Sequence, residues 1–171
     1  MHKNSLDIMA RLLAEYSPAS EGLLAYDVGS QDINGTYREL VTSFGWIYVG
    51  LDICEGENVD LVVREDTSWD YMPASKLVVS GQCVEHTKRP WEWIHQVKSL
   101  MAVDGVLILI APAMWPEHKF PIDCWRLLPD GMRALADWAG LVCLCAELSP
   151  TEDMEVGQQD CFAVMKRLRD E

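Results

Sequence analysis

Short hydrophobic runs alternate with amphipathic stretches along most of the chain. The runs have the length of buried strands and lie at residues 23–28, 47–51, 61–63, 77–80, 106–111, 141–148 and 161–168. A first helix is predicted behind Asn4 and Ser5, which can cap it, because apolar side chains then recur at helical spacing up to Tyr16. Further helices are predicted at 36–44, at 90–102 behind Pro90, and at 129–140 behind Pro129.

The order of these elements predicts an α/β fold. Continuously apolar strands that alternate with helices indicate a parallel sheet covered on both faces. The last two runs have only the acidic stretch "SPTEDMEVGQQD", residues 149–160, between them. Strands joined in this way pair antiparallel. We therefore expect one domain, 1–171, with a doubly wound, mostly parallel seven-stranded sheet that ends in an antiparallel hairpin.

A glycine-containing turn follows the first strand, in "YDVGSQDINGTYREL". Strand, glycine turn and helix in that order are typical of nucleotide-type ligand sites at the edge of a parallel sheet. The spacing departs from G-x-G-x-x-G, because Gln31 stands where a second glycine would be. Acids follow the first three strands, namely Asp27, Asp52 and Asp66. Asp52 is placed to accept hydrogen bonds from ribose hydroxyls, although a lone loop acid is often only solvated.

Four segments carry a more specific resemblance: "DVGSQDINGTYREL", "YVGLDI", "VSGQCVEHTKRPWEWI" and "PEHKFPIDCWRLLPDGMRAL". Together they resemble class I S-adenosylmethionine-dependent methyltransferases, whose sheet ends in an antiparallel hairpin. More narrowly they are similar to small bacterial methyltransferases that read D-V-G-S-G-D-x-N-G, E-H-x-x-x-P-W-E-W and P-x-D-C-W-R. The resemblance implies an enzyme that uses S-adenosyl-L-methionine and releases S-adenosyl-L-homocysteine.

The resemblance assigns the methionine end of the cofactor to two turns. Asp27, Gly29 and Ser30 would cradle the methionine part, with Gly29 letting the backbone approach the ligand. Ser80 and Gly81, at the end of the fourth strand, would approach the methionine amino group.

The adenosine end is assigned to the next two strand ends. Asp52 would bind the ribose hydroxyls and Ile53 would lie against the adenine face. Asp66 would take the adenine amino group, with Thr67 nearby.

Gln31 is the departure from the family pattern, which usually has glycine there. Its side chain could point outward and leave the site intact, or its amide could bind the methionine carboxylate. It could also crowd the amino-acid end of the cofactor and make the protein a poor enzyme. We expect a functional site that includes Gln31.

The long stretch 112–128 follows the fifth strand and is predicted to hold the acceptor. The expected acceptor-binding residues are Tyr37, Trp115, Trp125 and Arg126. The tryptophans could instead close the core, and Arg126 could pair with an acid. Candidate general bases are His118, His86 and Asp123, in that order. No metal-binding cluster is readable, so no metal-dependent mechanism is expected.

Composition limits the partners. The formal charge of −13 disfavours a nucleic acid or an anionic membrane as the main partner. Six cysteines without C-x-x-C pairs predict buried free thiols in a reducing compartment, and no stretch has transmembrane length or the pattern of a signal peptide. We therefore expect a cytoplasmic enzyme that methylates a small-molecule or sugar-like acceptor. A homodimer in which a partner subunit completes the pocket is left open.

Two other functions compete with this one. A dehydrogenase-type dinucleotide-binding protein would have a G-x-G-x-x-G turn and no terminal hairpin, and the sequence supports neither. A binding or regulatory module that keeps the fold but is catalytically weak or inactive is the alternative that Gln31 supports.

Overall fold

The computed structural model describes residues 3–20, 22–150 and 157–169, and the strands within these ranges form one sheet. The sheet has the order β3-β2-β1-β4-β5-β7-β6, and β1 to β5 pair in parallel, while β7 is antiparallel to both β5 and β6. The predicted doubly wound sheet with a terminal antiparallel hairpin is confirmed. The strands are β1 Leu24–Val28, β2 Ile47–Asp52, β3 Leu61–Val62, β4 Ser75–Gly81, β5 Met101–Met114, β6 Val142–Leu148 and β7 Gln159–Lys166.

Helices cover both faces of the sheet. They are α1 Lys3–Tyr16, α2 Arg38–Ser43, α3 Pro90–Leu100 and α4 Pro129–Trp138, and a 3₁₀ turn covers Val84–His86. Side chains of α1 and α2 pack in one apolar cluster, and those of α3 and α4 pack in another. Successive side chains of a strand point to opposite faces of the sheet, so one strand contributes to both clusters. Ala25 belongs to the first cluster and Tyr26 to the second. Pro90 and Pro129 occupy the first turns of their helices, as predicted.

Some boundaries differ from the sequence prediction. The helix expected at 90–102 ends at Leu100, and β5 begins at Met101 and continues to Met114. The pairing of β5 with β7 shifts register between Pro112 and Met114, since proline has no N–H for the ladder. Part of the acidic connection predicted at 149–160, residues 151–156, lies outside the described residues.

The six cysteines are free, in agreement with the prediction, but their expected burial is wrong in most cases. Cys54 and Cys124 are exposed, and only Cys161 of the six is fully buried. Cys54, Cys83 and Cys124 lie outside the apolar runs, and Cys143 and Cys145 are partly exposed because β6 is an edge strand of the sheet. Within the described residues, no helix is both long enough and apolar enough to cross a membrane.

Candidate active site

A cavity of about 810 Å³ lies at the carboxyl ends of β1, β2 and β4. The turn after β1 and the β2–β3 loop form one end, and the stretch 115–122 after β5 forms the other, with residues 81–88 between them. Crevices at this edge of a parallel sheet are where α/β proteins hold ligands. The volume lies in the range of pockets that enclose small molecules and cofactors.

The turn after β1 requires glycine at position 29. Gly29 has φ +81°, and a Cβ there would lie 2.5 Å from Cβ of Cys83. Its N–H and that of Ser30 donate to the carbonyl oxygen of Leu51, at 2.8 and 3.0 Å. These bonds fold the turn over the end of β2, and both Gly29 and Ser30 line the cavity, as predicted.

Asp27 lies beneath this turn and outside the cavity wall. Its side chain is buried and accepts a hydrogen bond of 2.6 Å from the Tyr48 hydroxyl. The Asn58 side-chain amide in turn donates to the Tyr48 oxygen and to the Ser30 carbonyl. Burial raises the pKa of Asp27 to about 7, although the Tyr48 hydrogen bond opposes the shift. Asp27 therefore supports the turn from below, through a network that sequence reasoning missed.

Gln31 lies in the cavity wall and contacts the β2–β3 loop. A Cβ built on Gly56 would lie 2.5 Å from Nε2 of Gln31 and 2.9 Å from its Cδ, so the side chain packs against Gly56. Its backbone N–H donates to Oδ2 of Asp52. Gln31 thus connects the first turn to the loop that follows β2.

Asp52 and Ile53 line the cavity, in agreement with the prediction. Oδ1 of Asp52 accepts hydrogen bonds from the backbone N–H groups of Ile53 and Cys54, at 2.7 and 3.3 Å. Together with the bond from Gln31, these contacts fix the carboxylate at the end of β2. A carboxylate has about four acceptor sites, so it retains capacity for a ligand hydroxyl.

Asp66 and Thr67 are not brought to the cavity. Asp66 is exposed and pairs with Arg64 through two hydrogen bonds of 2.9 Å. Glu65 and Trp69 line the cavity in this region, and the sequence analysis did not select them. Only the local turn of the chain after β3 decides which of the two neighbouring acids faces the cavity.

The two residues at the end of β4 have different surroundings. The Ser80 hydroxyl is buried and donates to the Val28 carbonyl at 2.7 Å, whereas Gly81 lines the cavity. Tyr37 is buried outside the cavity, where its hydroxyl bonds to that of Ser5 at 2.6 Å. A Cβ on Gly81 would lie 2.7 Å from the Tyr37 ring, so Tyr37 supports the position of this strand end.

Two histidines meet at the opposite end of the cavity. His86, in the 3₁₀ turn, and His118, in the loop after β5, both line it, and their ring centroids are 5.0 Å apart. Trp115 and Phe120 line the same end, and the ring of the predicted acceptor residue Trp115 lies 6.4 Å from that of His118, measured between centroids. Part of the loop thus lines the cavity, next to the strand ends.

Glu85 is the third member of this group, and it was not predicted from the sequence as a site residue. Its side chain is fully buried, and neither carboxylate oxygen has a hydrogen-bond partner. Oε1 lies 3.7 Å from Nε2 of His86 and 3.8 Å from Nε2 of His118. The neighbouring Glu85 carboxylate raises the pKa of His118 above its ordinary value.

Asp123, Trp125 and Arg126 lie outside the cavity wall. Arg126 binds both oxygens of Asp123, at 2.5 and 2.7 Å, and donates to the carbonyls of Trp115 and Pro116. The guanidinium lowers the pKa of Asp123 well below its usual range, which makes this carboxylate a weak base. Trp125 donates from its ring nitrogen to the Thr87 carbonyl. These contacts hold the loop against the 3₁₀ turn.

No known family model and no curated protein matches the sequence. Solved structures match nearly the whole chain, among them the cyclase SpnF, with a TM-score of 0.73, 12% identity and coverage of 96% of this chain and 81% of the cyclase. This is the fold of class I S-adenosylmethionine-dependent methyltransferases.

Two methyltransferases illustrate the range of this fold. One is the Burkholderia thailandensis 1,6-didemethyltoxoflavin-N1-methyltransferase with bound S-adenosylhomocysteine, with a TM-score of 0.71, 10% identity and coverage of 98% of this chain and 79% of that protein. The other is a 16S rRNA (adenine(1408)-N(1))-methyltransferase from Catenulisporales acidiphilia. Its TM-score is 0.63 at 13% identity, with coverage of 95% of this chain and 94% of that protein. At these identities the likeness establishes the fold, and the chemistry has to be argued from the site.

Proposed function

We propose that the protein is an S-adenosylmethionine-dependent methyltransferase that methylates a small-molecule or sugar-like acceptor by in-line transfer. The observation that carries the proposal is that one continuous cavity joins Asp52 at one end to His86 and His118 at the other. One end has the groups that a nucleoside needs, and the other has groups that can bind an acceptor and take its proton. Bound S-adenosylmethionine would supply a methyl carbon activated by its sulfonium.

The residues at the first end fit the cofactor. Gly29 and Gly81 both line this end, and glycine is needed at each because a Cβ would overlap Cys83 or Tyr37. The Asp52 carboxylate is fixed by backbone N–H groups and keeps acceptor capacity for ribose hydroxyls. Ile53 and Trp69 offer apolar surface in the same region for the adenine ring. Cofactor roles for Asp27 and Ser80 would be indirect, through the backbone that they support.

The residues at the second end fit an acceptor with an ionisable hydroxyl or amine. Trp115 and Phe120 would cover the acceptor and exclude water from the methyl group. Holding an acceptor in line with the methyl carbon supplies much of the rate enhancement. His118 and His86 would hold or receive its proton, and Asp123 would position His118 through the hydrogen bond of 2.7 Å to its backbone N–H.

The class of acceptor follows from the shape and charge of the protein. The net charge of −13 and the cavity volume of about 810 Å³ support a small molecule, whereas the matching rRNA methyltransferase shows that the fold also serves nucleic acids in other proteins. We further propose that residues 1–171 act as one domain. The cytoplasmic location, the homodimer and the subgroup with the P-x-D-C-W-R motif stay predictions of the sequence.

Calorimetry with S-adenosylmethionine and S-adenosylhomocysteine tests the proposal. We expect both to bind well below millimolar concentration with a stoichiometry of one. A screen of small acceptors, read out as S-adenosylhomocysteine formed, would then identify the substrate. If neither ligand binds at millimolar concentration, the inactive binding module is correct, and Gln31 in the cavity wall is the feature that favours it.

A further inference from the structure

The carboxylate of Glu85 has no conventional partner in the part of the chain that the structure describes. It is fully buried, both oxygens lack a hydrogen bond, and Oε1 lies 3.7 and 3.8 Å from the Nε2 atoms of His86 and His118. Arg126 acts on it only through longer-range charge attraction, because the guanidinium N–H groups donate to Asp123 and to loop carbonyls. A buried carboxylate without donors is costly unless a cation compensates it.

In their neutral form, both histidines present the Nε2 lone pair toward this carboxylate. Nδ1 of His86 lies 2.5 Å from the carbonyl oxygen of Ile122, and Nδ1 of His118 lies 3.2 Å from that of Pro116. A carbonyl oxygen can only accept a hydrogen bond, so each Nδ1 carries the hydrogen. In the neutral imidazole each Nε2 is then unprotonated, and its lone pair can bind a metal ion. Backbone carbonyls that fix the tautomer in this way are the usual outer contacts of metal-binding histidines.

The spacing of the three ligand atoms suits one ion. Oε1 of Glu85 and the Nε2 atoms of His86 and His118 all lie within 4.8 Å of one another. Distances of 3.7 and 3.8 Å are too long for hydrogen bonds but leave room for an ion between the atoms. Tetrahedral coordination at ordinary Zn–N and Zn–O distances would bring the atoms to about 3.3 Å, a small closure for side chains on a turn and a loop.

We propose that Glu85, His86 and His118 bind one divalent transition-metal ion of the Zn²⁺ type, with an open coordination position that faces the acceptor end of the cavity. Two imidazoles and one carboxylate select such an ion over Mg²⁺ or Ca²⁺, which prefer oxygen ligands throughout. Three protein ligands with one open position are the pattern of catalytic rather than structural zinc. This proposal differs from the sequence-based prediction that no metal-dependent mechanism operates.

The site itself does not depend on the proposed methyl transfer, but its role would. With the ion bound, His86 and His118 would act on the acceptor through the metal and would not take its proton directly. An acceptor hydroxyl or water at the open position would lose its proton more readily, because the ion stabilises the anion.

Metal-binding titrations test the proposal. Chelator-stripped protein is titrated with Zn²⁺ in competition with a chromophoric chelator, and we expect one ion per chain. Glu85→Gln and His118→Ala should each lower the affinity at least a hundredfold, whereas His95→Ala, on α3 away from the cavity, should leave it unchanged. Thermal melts of the metal-free variants establish that each has folded. The proposal would be overturned if the wild type failed to compete for Zn²⁺, or if the Glu85 and His118 variants bound Zn²⁺ with wild-type affinity.

The ligand atoms can be identified directly. X-ray absorption at the zinc edge should show nitrogen and oxygen neighbours only, and Co²⁺ should give a spectrum without sulfur charge-transfer bands. Sulfur ligation would mean that the ion is held by cysteines such as Cys54 or Cys124, and the proposed site would be wrong. Calorimetry of the metal-free protein with S-adenosylhomocysteine separates the two proposals, because cofactor binding at the Asp52 end does not need the ion.

Discussion

The backbone N–H of Gln31 donates a hydrogen bond of 3.1 Å to Oδ2 of Asp52. This bond joins the residue that departs from the family pattern to the residue proposed to bind ribose. Both side chains line the cavity, and the Gln31 side chain also packs against Gly56 beyond the end of β2. The glutamine therefore helps to shape the Asp52 end of the cavity, and its effect on cofactor binding has to be measured together with that of the β2–β3 loop.

Asp52→Ala should weaken the binding of S-adenosylhomocysteine. The change removes the charged acceptor for ribose and also releases the turn that Gln31 closes, which together should cost about 2 kcal/mol or more, roughly a thirtyfold rise in Kd. Calorimetry measures the effect. Asp66→Ala is the matched control, because Asp66 is exposed, paired with Arg64 and outside the cavity. An Asp52 variant with wild-type affinity, or an equal loss in the Asp66 variant, would show that the ribose assignment is wrong.

Gly56→Ala should lower cofactor affinity only when Gln31 is present. The added Cβ would overlap the Gln31 amide, and the side chain would have to move from the loop, whereas Gln31→Gly removes the overlap. The two substitutions should therefore be non-additive in a double-mutant cycle, with the double variant binding more tightly than Gly56→Ala alone. Gly131→Ala serves as the control, since its Cβ would make only an ordinary contact with Leu127. Additive losses would place the Gln31 side chain away from Gly56 in solution.

Asp27 should make stability depend on pH. Its pKa is raised to about 7 by burial, so its contribution is fully present below the unfolded-state value near 3.9 and is lost as pH rises through 7. The loss amounts to about 4 kcal/mol over this window. Asp27→Asn should remove it, so the variant should gain stability relative to wild type between pH 4 and 8 in urea denaturation.

A second variant tests the cause of that shift. The Tyr48 hydroxyl stabilises the ionised form of Asp27, so Tyr48→Phe should raise the Asp27 pKa further and move the loss of stability to higher pH. If wild type and Asp27→Asn keep parallel stability profiles over this range, the carboxyl group is not buried as described.

His118→Ala and Arg126→Ala should have different effects. His118 lines the cavity, so its removal should depress methyl transfer while cofactor affinity and Tm stay close to wild type. Arg126 braces the loop through Asp123 and backbone carbonyls, so its removal should cost about 2 kcal/mol of stability, roughly 4–8 °C in Tm. Arg64→Ala, which breaks an exposed pair, is the control for the loss of an arginine. Methyl transfer, S-adenosylhomocysteine binding and Tm are measured on each variant.

A different result for Arg126→Ala would support the sequence-based prediction that Arg126 binds the acceptor. Loss of turnover without loss of Tm would mean that Arg126 contacts the acceptor. Parallel loss of turnover, binding and Tm in His118→Ala would make His118 part of the structural loop.

The order of elements and one end of the site were predictable from the sequence. Continuous apolar runs define strands locally, Pro90 and Pro129 open their helices, and the acidic connection leaves the last two strands no arrangement but a hairpin. Since the carboxyl ends of parallel strands share one edge, Gly29 and Asp52 had to come together there. These features follow from chain order and periodicity.

The orientation of individual side chains and the contacts between distant segments needed the tertiary structure. Asp66 turns to Arg64 while its neighbour Glu65 faces the cavity, because the chain after β3 has no periodicity that would orient either acid. Glu85 joins His118 only because the loop after β5 folds back over the 3₁₀ turn. The position of the loop is set by long-range hydrogen bonds such as the one from Trp125 to the Thr87 carbonyl. No local sequence pattern in the loop or in the 3₁₀ turn predicts that Glu85 and His118 come together.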